Sequence, residues 1–185
     1  MEGGKSADIE IRFRHPRSNA RCRLDWAVPN DKMPDAQRLM ERAVNDGTKI
    51  FIIQSADEWS EFIAVNSKAV FKDKFFVGTN WLGGVMFNKP HDIFKELPVG
   101  NALNWPYQAL IHTGVERMGL VMEGEELLVG AYHTYPMAIG TAMGIVPMGK
   151  GSVLFSTLDI YGNIINDSAA GLVAKKLIFN MIDFK

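Results

Sequence analysis

Asp46-Gly47-Thr48-Lys49-Ile50-Phe51-Ile52-Ile53-Gln54-Ser55-Ala56-Asp57-Glu58 is the stretch from which the fold can be read. Thr48 to Ile53 is a near-continuous run of β-branched, aliphatic and aromatic residues. Such runs belong to strands covered on both faces, which usually means a parallel sheet. Asp46-Gly47 before the run reads as a helix stop. Ser55 and Glu58 after it have capping-box spacing: a Ser hydroxyl and a Glu carboxylate three residues on can satisfy the free amides of a first helical turn. Helix, buried strand, capped helix is the α/β rhythm.

The neighbouring segments extend that pattern. Pro34 sits where a helix begins, in the first turn, where its missing N–H would be unpaired in any case. Leu39, Met40, Ala43 and Val44 give this helix an apolar face, and Trp59, Phe62 and Ile63 do the same for the helix after the strand. Toward the N-terminus, Ala7 to Phe13 alternates small or apolar with polar residues, the period of a half-buried strand. Arg14 to Asn30, basic and irregular with Pro16 and Pro29, reads as loop. Toward the C-terminus, Phe75-Phe76-Val77 and Val85-Met86-Phe87 are short apolar pieces, and His91 to Leu97 predicts a brief helix ended by Pro98. Glu126 to Ala131 and Met137 to Val146 predict strands separated by Tyr132-His133-Thr134-Tyr135-Pro136. Met148-Gly149-Lys150-Gly151 predicts a turn into a buried strand over Ser152 to Leu158. Asp167 or Ser168 is placed to cap a last helix carrying Val173, Leu177 and Met181 at spacing four. The organisation expected is an N-terminal strand and irregular segment over 1–33 and one globular domain over 34–185.

Composition narrows the function. The 185 residues suit one compact domain. With 20 Lys plus Arg against 21 Asp plus Glu, a net charge of −1 gives no electrostatic footprint for nucleic acid. No apolar run approaches the roughly 20 residues that span a bilayer, so no membrane partner is expected. Cys22 alone cannot form an internal disulfide, and the compartment stays open on that count.

Catalytic signatures are sparse. Cys22 lies between Arg21 and Arg23, whose charges favour a thiolate, but it follows no strand and opens no helix, so a plain unpaired Cys is the better reading. No Gly-x-Ser-x-Gly elbow occurs. Gly144 to Lys150 matches a phosphate-loop pattern up to its last position, where Gly151 replaces the magnesium-binding hydroxyl, and the segment leads into a strand rather than a helix. His15, His91, His112 and His133 show no i, i+4 pairing, and neither metal nor cofactor is expected. Glu123, Glu125 and Glu126 read as a solvated turn. Aromatic residues in the loops are more informative: Trp81, Trp105, Tyr107, Tyr132 and Tyr135 sit beside turn residues or prolines, where they can stack on a sugar, although for Asn104-Trp105-Pro106-Tyr107 packing against a core or a neighbouring domain is the stronger reading.

Three segments together resemble a known family, the glutamine-amidotransferase-like, flavodoxin-type domain appended to bacterial glycoside hydrolases, especially family 2 enzymes of the β-galactosidase type. The first is Asp46 to Ser55, similar to that domain's helix end, buried strand and Gln-Ser turn, with Asp46-Gly47 where a Gly-Gly pair is usual. The second is Lys89-Pro90-His91-Asp92-Ile93-Phe94-Lys95-Glu96-Leu97-Pro98, with Asp92 in place of a Pro and Asn104-Trp105 following. The third, and most specific, runs from Gly149-Lys150-Gly151 through Val153 to Asp159, then Asp167-Ser168-Ala169-Ala170 and Leu177-Ile178-Phe179-Asn180. The resemblance covers roughly residues 34 to 185.

What it implies is a three-layer α/β sandwich, class I glutamine-amidotransferase-like, with a mostly parallel sheet and an antiparallel C-terminal hairpin. True amidotransferases carry a nucleophilic Cys on the turn after the central strand; the matching turn here is Gln54-Ser55, so glutamine hydrolysis is not expected. Family 2 glycosidases act through two carboxylates in a separate barrel, which this chain is too short to add. The implied role is a non-catalytic accessory domain whose partners are other domains of a glycoside hydrolase or its oligomer, with carbohydrate as a further candidate contact and a periplasmic or secreted parent allowed. Trp105, Tyr107, Trp81, His133 and Gln54 are the candidate contact residues. Two alternatives stand beside this one: a small hydrolase or isomerase using His133 and Glu126 at strand ends, and a free-standing carbohydrate-binding module.

Overall fold

The quoted stretch folds as helix, strand and helix: α1 (Pro34–Asp46), β1 (Lys49–Ile52) and α2 (Ala56–Val65). Gly47 ends α1 at a φ of 77°, and the Thr48 amide donates to the Arg42 carbonyl at 3.4 Å. The computed structural model describes residues 34–77, 84–100, 102–103, 105–111, 118–134 and 137–184. After α2 come β2 (Val70–Phe76), β3 (Gly84–Asn88), two 3₁₀ turns (Asp92–Phe94 and Trp105–Tyr107) and α3 (Gln108–Ile111). The chain then forms β4 (Met118–Glu123), β5 (Glu126–His133), β6 (Ala138–Met148), β7 (Gly151–Ser156), α4 (Ile160–Ile164) and α5 (Ala169–Asp183). The predicted strand over Ala7 to Phe13 lies outside the described residues.

The seven strands form one open sheet in a mixed α/β arrangement. β6 is its hub. Thr141 pairs with Gly130 of β5 and Leu120 of β4, and Gly144 pairs with Leu127 of β5 and Phe155 of β7. β4 and β7 therefore share the edge of β6 opposite β5. β1 joins outside β7, β2 outside β4, and β3 outside β5.

Strand direction departs from the expected mostly parallel sheet. β1 and β7 pair in parallel; every other pairing among the described strands is antiparallel. The connections explain much of this. β6 and β7 are joined by Gly149-Lys150 alone, and a turn that short permits only antiparallel neighbours, whereas a parallel pair needs a crossover. The quoted strand is correspondingly not central: among the described strands β1 has β7 as its ladder partner and lies at a sheet edge.

Alternation along the strands feeds two apolar clusters, one on each side of the sheet. Ile50, Ile52, Val153, Phe155, Leu120 and Met122 join α1 and α2 through Leu39, Met40, Phe62 and Ile63. Ile53, Leu154, Met86, Ala131 and Ala142 face the opposite way and meet Ile93, Phe94, Tyr107, Val173, Leu177 and Met181. Phenylalanine rings lie across glycines at three directly paired positions: Phe75 on Gly119, Phe87 on Gly130 and Phe155 on Gly144. An aromatic ring covers the backbone that a glycine leaves bare, and the missing Cβ is what leaves room for the ring there.

Candidate interaction site

The turn leaving β1 has no hydroxyl cap. Ser55 stands at the N-cap position of α2 with φ 53° and ψ 34°, and its side chain makes no capping hydrogen bond. A capping side chain works from an extended backbone; in the left-handed region the hydroxyl is aimed away from the first-turn amides. The Ser55 carbonyl instead accepts from the Glu58 amide at 3.0 Å and the Trp59 amide at 3.3 Å. Gln54, between β1 and this turn, is half-buried. At α5 the expected cap is present: Ser168 Oγ accepts from the Gly171 amide at 3.2 Å.

The acid–base pair suggested by sequence is not assembled. Glu126 opens β5 and His133 closes it. Seven residues of strand separate them by about 23 Å at roughly 3.3 Å per residue. Glu126 meets a different histidine: His91 Nε2 lies 3.9 Å from Glu126 Oε1, and Lys89 Nζ lies 3.4 Å from the same oxygen. His91 Nδ1 accepts the Ile93 amide at 3.2 Å and so caps the first 3₁₀ turn. Its ring also rests 4.9 Å from that of Phe184, whose carbonyl accepts from Lys49 Nζ at 2.6 Å. Burial pushes the Lys49 amine below its ordinary pKa. One imidazole nitrogen is thus committed to a backbone amide, and the group joins the first 3₁₀ turn, β5 and Phe184, the residue that follows α5. The capping role was legible only as His-Asp at the start of a short turn.

Tyr107 belongs to the core rather than to a contact surface. It is 2% exposed; its hydroxyl donates to the Pro98 carbonyl at 2.7 Å and accepts from Asn88 Nδ2 at 3.3 Å. Burial raises its phenol pKa to about 12. Pro98 lies in the segment after the first 3₁₀ turn and Tyr107 ends the second, so the aromatic-proline spacing reflects a buried brace. Trp105 opens the second 3₁₀ turn, while Trp81, Tyr135 and Cys22 lie outside the described residues. Among the described residues no group of three His, Cys, Asp or Glu side chains is placed to hold a metal ion.

What the sheet does offer, among the described residues, is a partly exposed apolar face. Val85, Tyr132 and Ile139 are direct cross-strand neighbours on β3, β5 and β6, and Phe87 lies two residues from Val85 on the same face. Val85 and Phe87 are each 39% exposed and Ile139 is 65% exposed. Met137, at a φ of 50° just before β6, is 76% exposed beside them. The opposite face of the same strands, Met86, Ala131 and Ala142, is buried in the core. Sequence reasoning predicted strands at β5 and β6 and only a short apolar piece at Val85-Met86-Phe87, a run that reads identically whether its outer side is covered or open.

No protein-family model matches this sequence, and no curated protein matches it. Two solved beta-galactosidases are similar in structure. That from Rahnella sp. R3 has 11% identity and a TM-score of 0.45, over 82% of this chain and 20% of the other. That from Bacillus circulans sp. alkalophilus also has 11% identity, with a TM-score of 0.46 over the same shares. The chain thus spans about 20% of the length of each.

Proposed function

We propose that this chain is a non-catalytic accessory domain of a protein related to glycoside hydrolases, a divergent member of the flavodoxin-type, amidotransferase-like group, and that it docks on a neighbouring domain or subunit through the open face of β3, β5 and β6. The observation that carries the reading is that face: large apolar side chains at Val85, Phe87 and Ile139 stand exposed on strands whose other side is core. Contiguous exposed apolar surface on a folded domain marks an interaction site. The three sequence segments shared with that domain family support the glycoside-hydrolase context. The separation of His133 from Glu126 and the absence of a cysteine in the β1–α2 turn support a role without bond-breaking. His133, at the end of β5 beside the face, is a proposed contact residue, with Trp105, Gln54 and Trp81 as the further candidates.

The test is titration with an apolar fluorescent dye that brightens on binding exposed hydrophobic surface. Saturable binding to the native chain, lost in a Phe87→Asp/Ile139→Asp variant that keeps its native circular dichroism, supports a docking face there. Binding unchanged by the double variant contradicts it. A second reading, a carbohydrate platform, is favoured by the Phe87 ring, which lies over Gly130 with 39% of the residue exposed. Oligosaccharide-induced chemical-shift changes around Phe87 that vanish in Phe87→Ala would support that reading instead.

A further inference from the structure

We propose that α2, β2 and β4 form a flap, seated on Gly140 and fastened by the Thr157 hydroxyl, that opens as one unit while the β5–β6–β7 core stays closed. The internal ties of this unit are extensive. β2 and β4 pair along their whole length, from Val70–Glu123 to Phe76–Met118. Lys72 of β2 pairs with Glu123 of β4, and Lys74 Nζ reaches Asp57 of α2 at 3.0 Å. Phe62 and Ile63 of α2 share an apolar cluster with Leu120 and Met122 of β4.

The ties outward are of another kind. Among the described residues the ladder between β4 and β6 is the single pair Leu120–Thr141, whereas β5 and β6 pair from Glu126–Ile145 to His133–Ala138. Thr157, immediately after β7, bridges the place where β4 and β7 part. Its amide donates to the Ala142 carbonyl at 2.8 Å, and its hydroxyl donates to the Met118 carbonyl at 2.8 Å, with Ala142 O at 3.2 Å. Gly140 supplies the seat: a Cβ there would lie 2.6 Å from Leu120 O and 2.9 Å from the Phe75 ring, both parts of the flap. The chain enters the flap at Ser55, φ 53°, departs after β2 to build β3, the two 3₁₀ turns and α3, returns at β4 and leaves at Gly124, φ 88°. Outward, Phe62, Ile63, Leu120 and Met122 also pack in one apolar cluster with Ile50, Ile52, Val153 and Phe155, a contact without preferred direction. A unit with dense internal and sparse external hydrogen bonding opens sub-globally, ahead of the core.

Hydrogen exchange by mass spectrometry on the whole chain tests this. Edge strand β2 exchanges early in any account, so β4, which lies between β2 and β6, is decisive. The expected result is that amides of 118–123 exchange together with those of 70–76, at least about tenfold faster than those of 126–133 and 143–156. Thr157→Val and, independently, Gly140→Ala should widen that gap several-fold, and Thr157→Ser should restore it. Exchange of β4 at the core rate, or acceleration by Thr157→Val that is equal across the sheet, overturns the proposal.

Discussion

Alkaline titration of Tyr107 gives the sharpest energetic test of the packing. Its hydroxyl is enclosed between the Pro98 carbonyl and Asn88, and burial lifts its pKa from 10.0 to about 12. The neutral phenol is the form that the fold stabilises. Its contribution is therefore fully present below pH 10, the unfolded value, and is lost as pH rises through the folded value. Linkage over that interval removes about 2.3 kcal/mol by pH 12, at about 1.36 kcal/mol per unit. Tyr107→Phe cannot titrate. At neutral pH it forfeits one hydroxyl donation to a carbonyl that Asn88 Nδ2 still reaches at 2.8 Å, a loss of about 1 kcal/mol. Urea unfolding of both proteins as a function of pH measures the difference, which cancels the titration of other groups. Wild type should lead by about 1 kcal/mol in neutral solution, and the order should reverse between pH 10 and about 12. A difference constant across that range would refute the assignment of a buried phenol.

Other substitutions separate roles that sequence treats alike. Ser168→Ala should lose about 1 kcal/mol in thermal or urea unfolding, because its hydroxyl caps α5, whereas Ser55→Ala should change stability by only a few tenths. Gly149→Ala should cost about 3 kcal/mol, since a methyl there meets the Val44 backbone and the residue holds a φ of 59°. Gly130→Ala should cost nearer 1 kcal/mol, because the half-exposed Phe87 ring can swing aside. Asn180→Ala removes the donations to Ile93 O at 2.8 Å and Lys95 O at 3.0 Å that tie α5 to the first 3₁₀ turn, and should lower unfolding free energy by about 2 kcal/mol.

Local pattern carried the sequence reading well where the segment decides its own structure. The α1–β1–α2 rhythm, the Gly149-Lys150 turn and the Ser168 cap each rest on neighbours in the chain. Non-local partners were another matter. The run Thr48 to Ile53 announces burial on both faces, but burial does not fix direction or position, and β1 pairs only with β7 among the described strands. β2 was legible only at Phe75-Phe76-Val77, because Lys72-Asp73-Lys74 carry the charge that befits an outer strand and hide its period. β4 was missed: Gly119 interrupts its apolar alternation and makes sense only once the Phe75 ring is seen lying over it. Of the candidate contact residues, Tyr107 shows the same limit. A tyrosine beside a proline looks the same in sequence whether it faces solvent or, as here, braces two turns from inside. The Glu126 partner was equally hidden, since His91 reaches it across the fold while His133, nearer in sequence, sits at the far end of the strand.

The measurement that bears most directly on the account is turnover of chromogenic glycosides by the purified chain, with Glu126→Gln assayed alongside. The account predicts no hydrolysis above the buffer rate for either protein, because His133 lies at the opposite end of β5 from Glu126 and the imidazole that does face Glu126 has its Nδ1 committed to the Ile93 amide. Hydrolysis by the wild type that disappears in Glu126→Gln, with the fold intact, would contradict it.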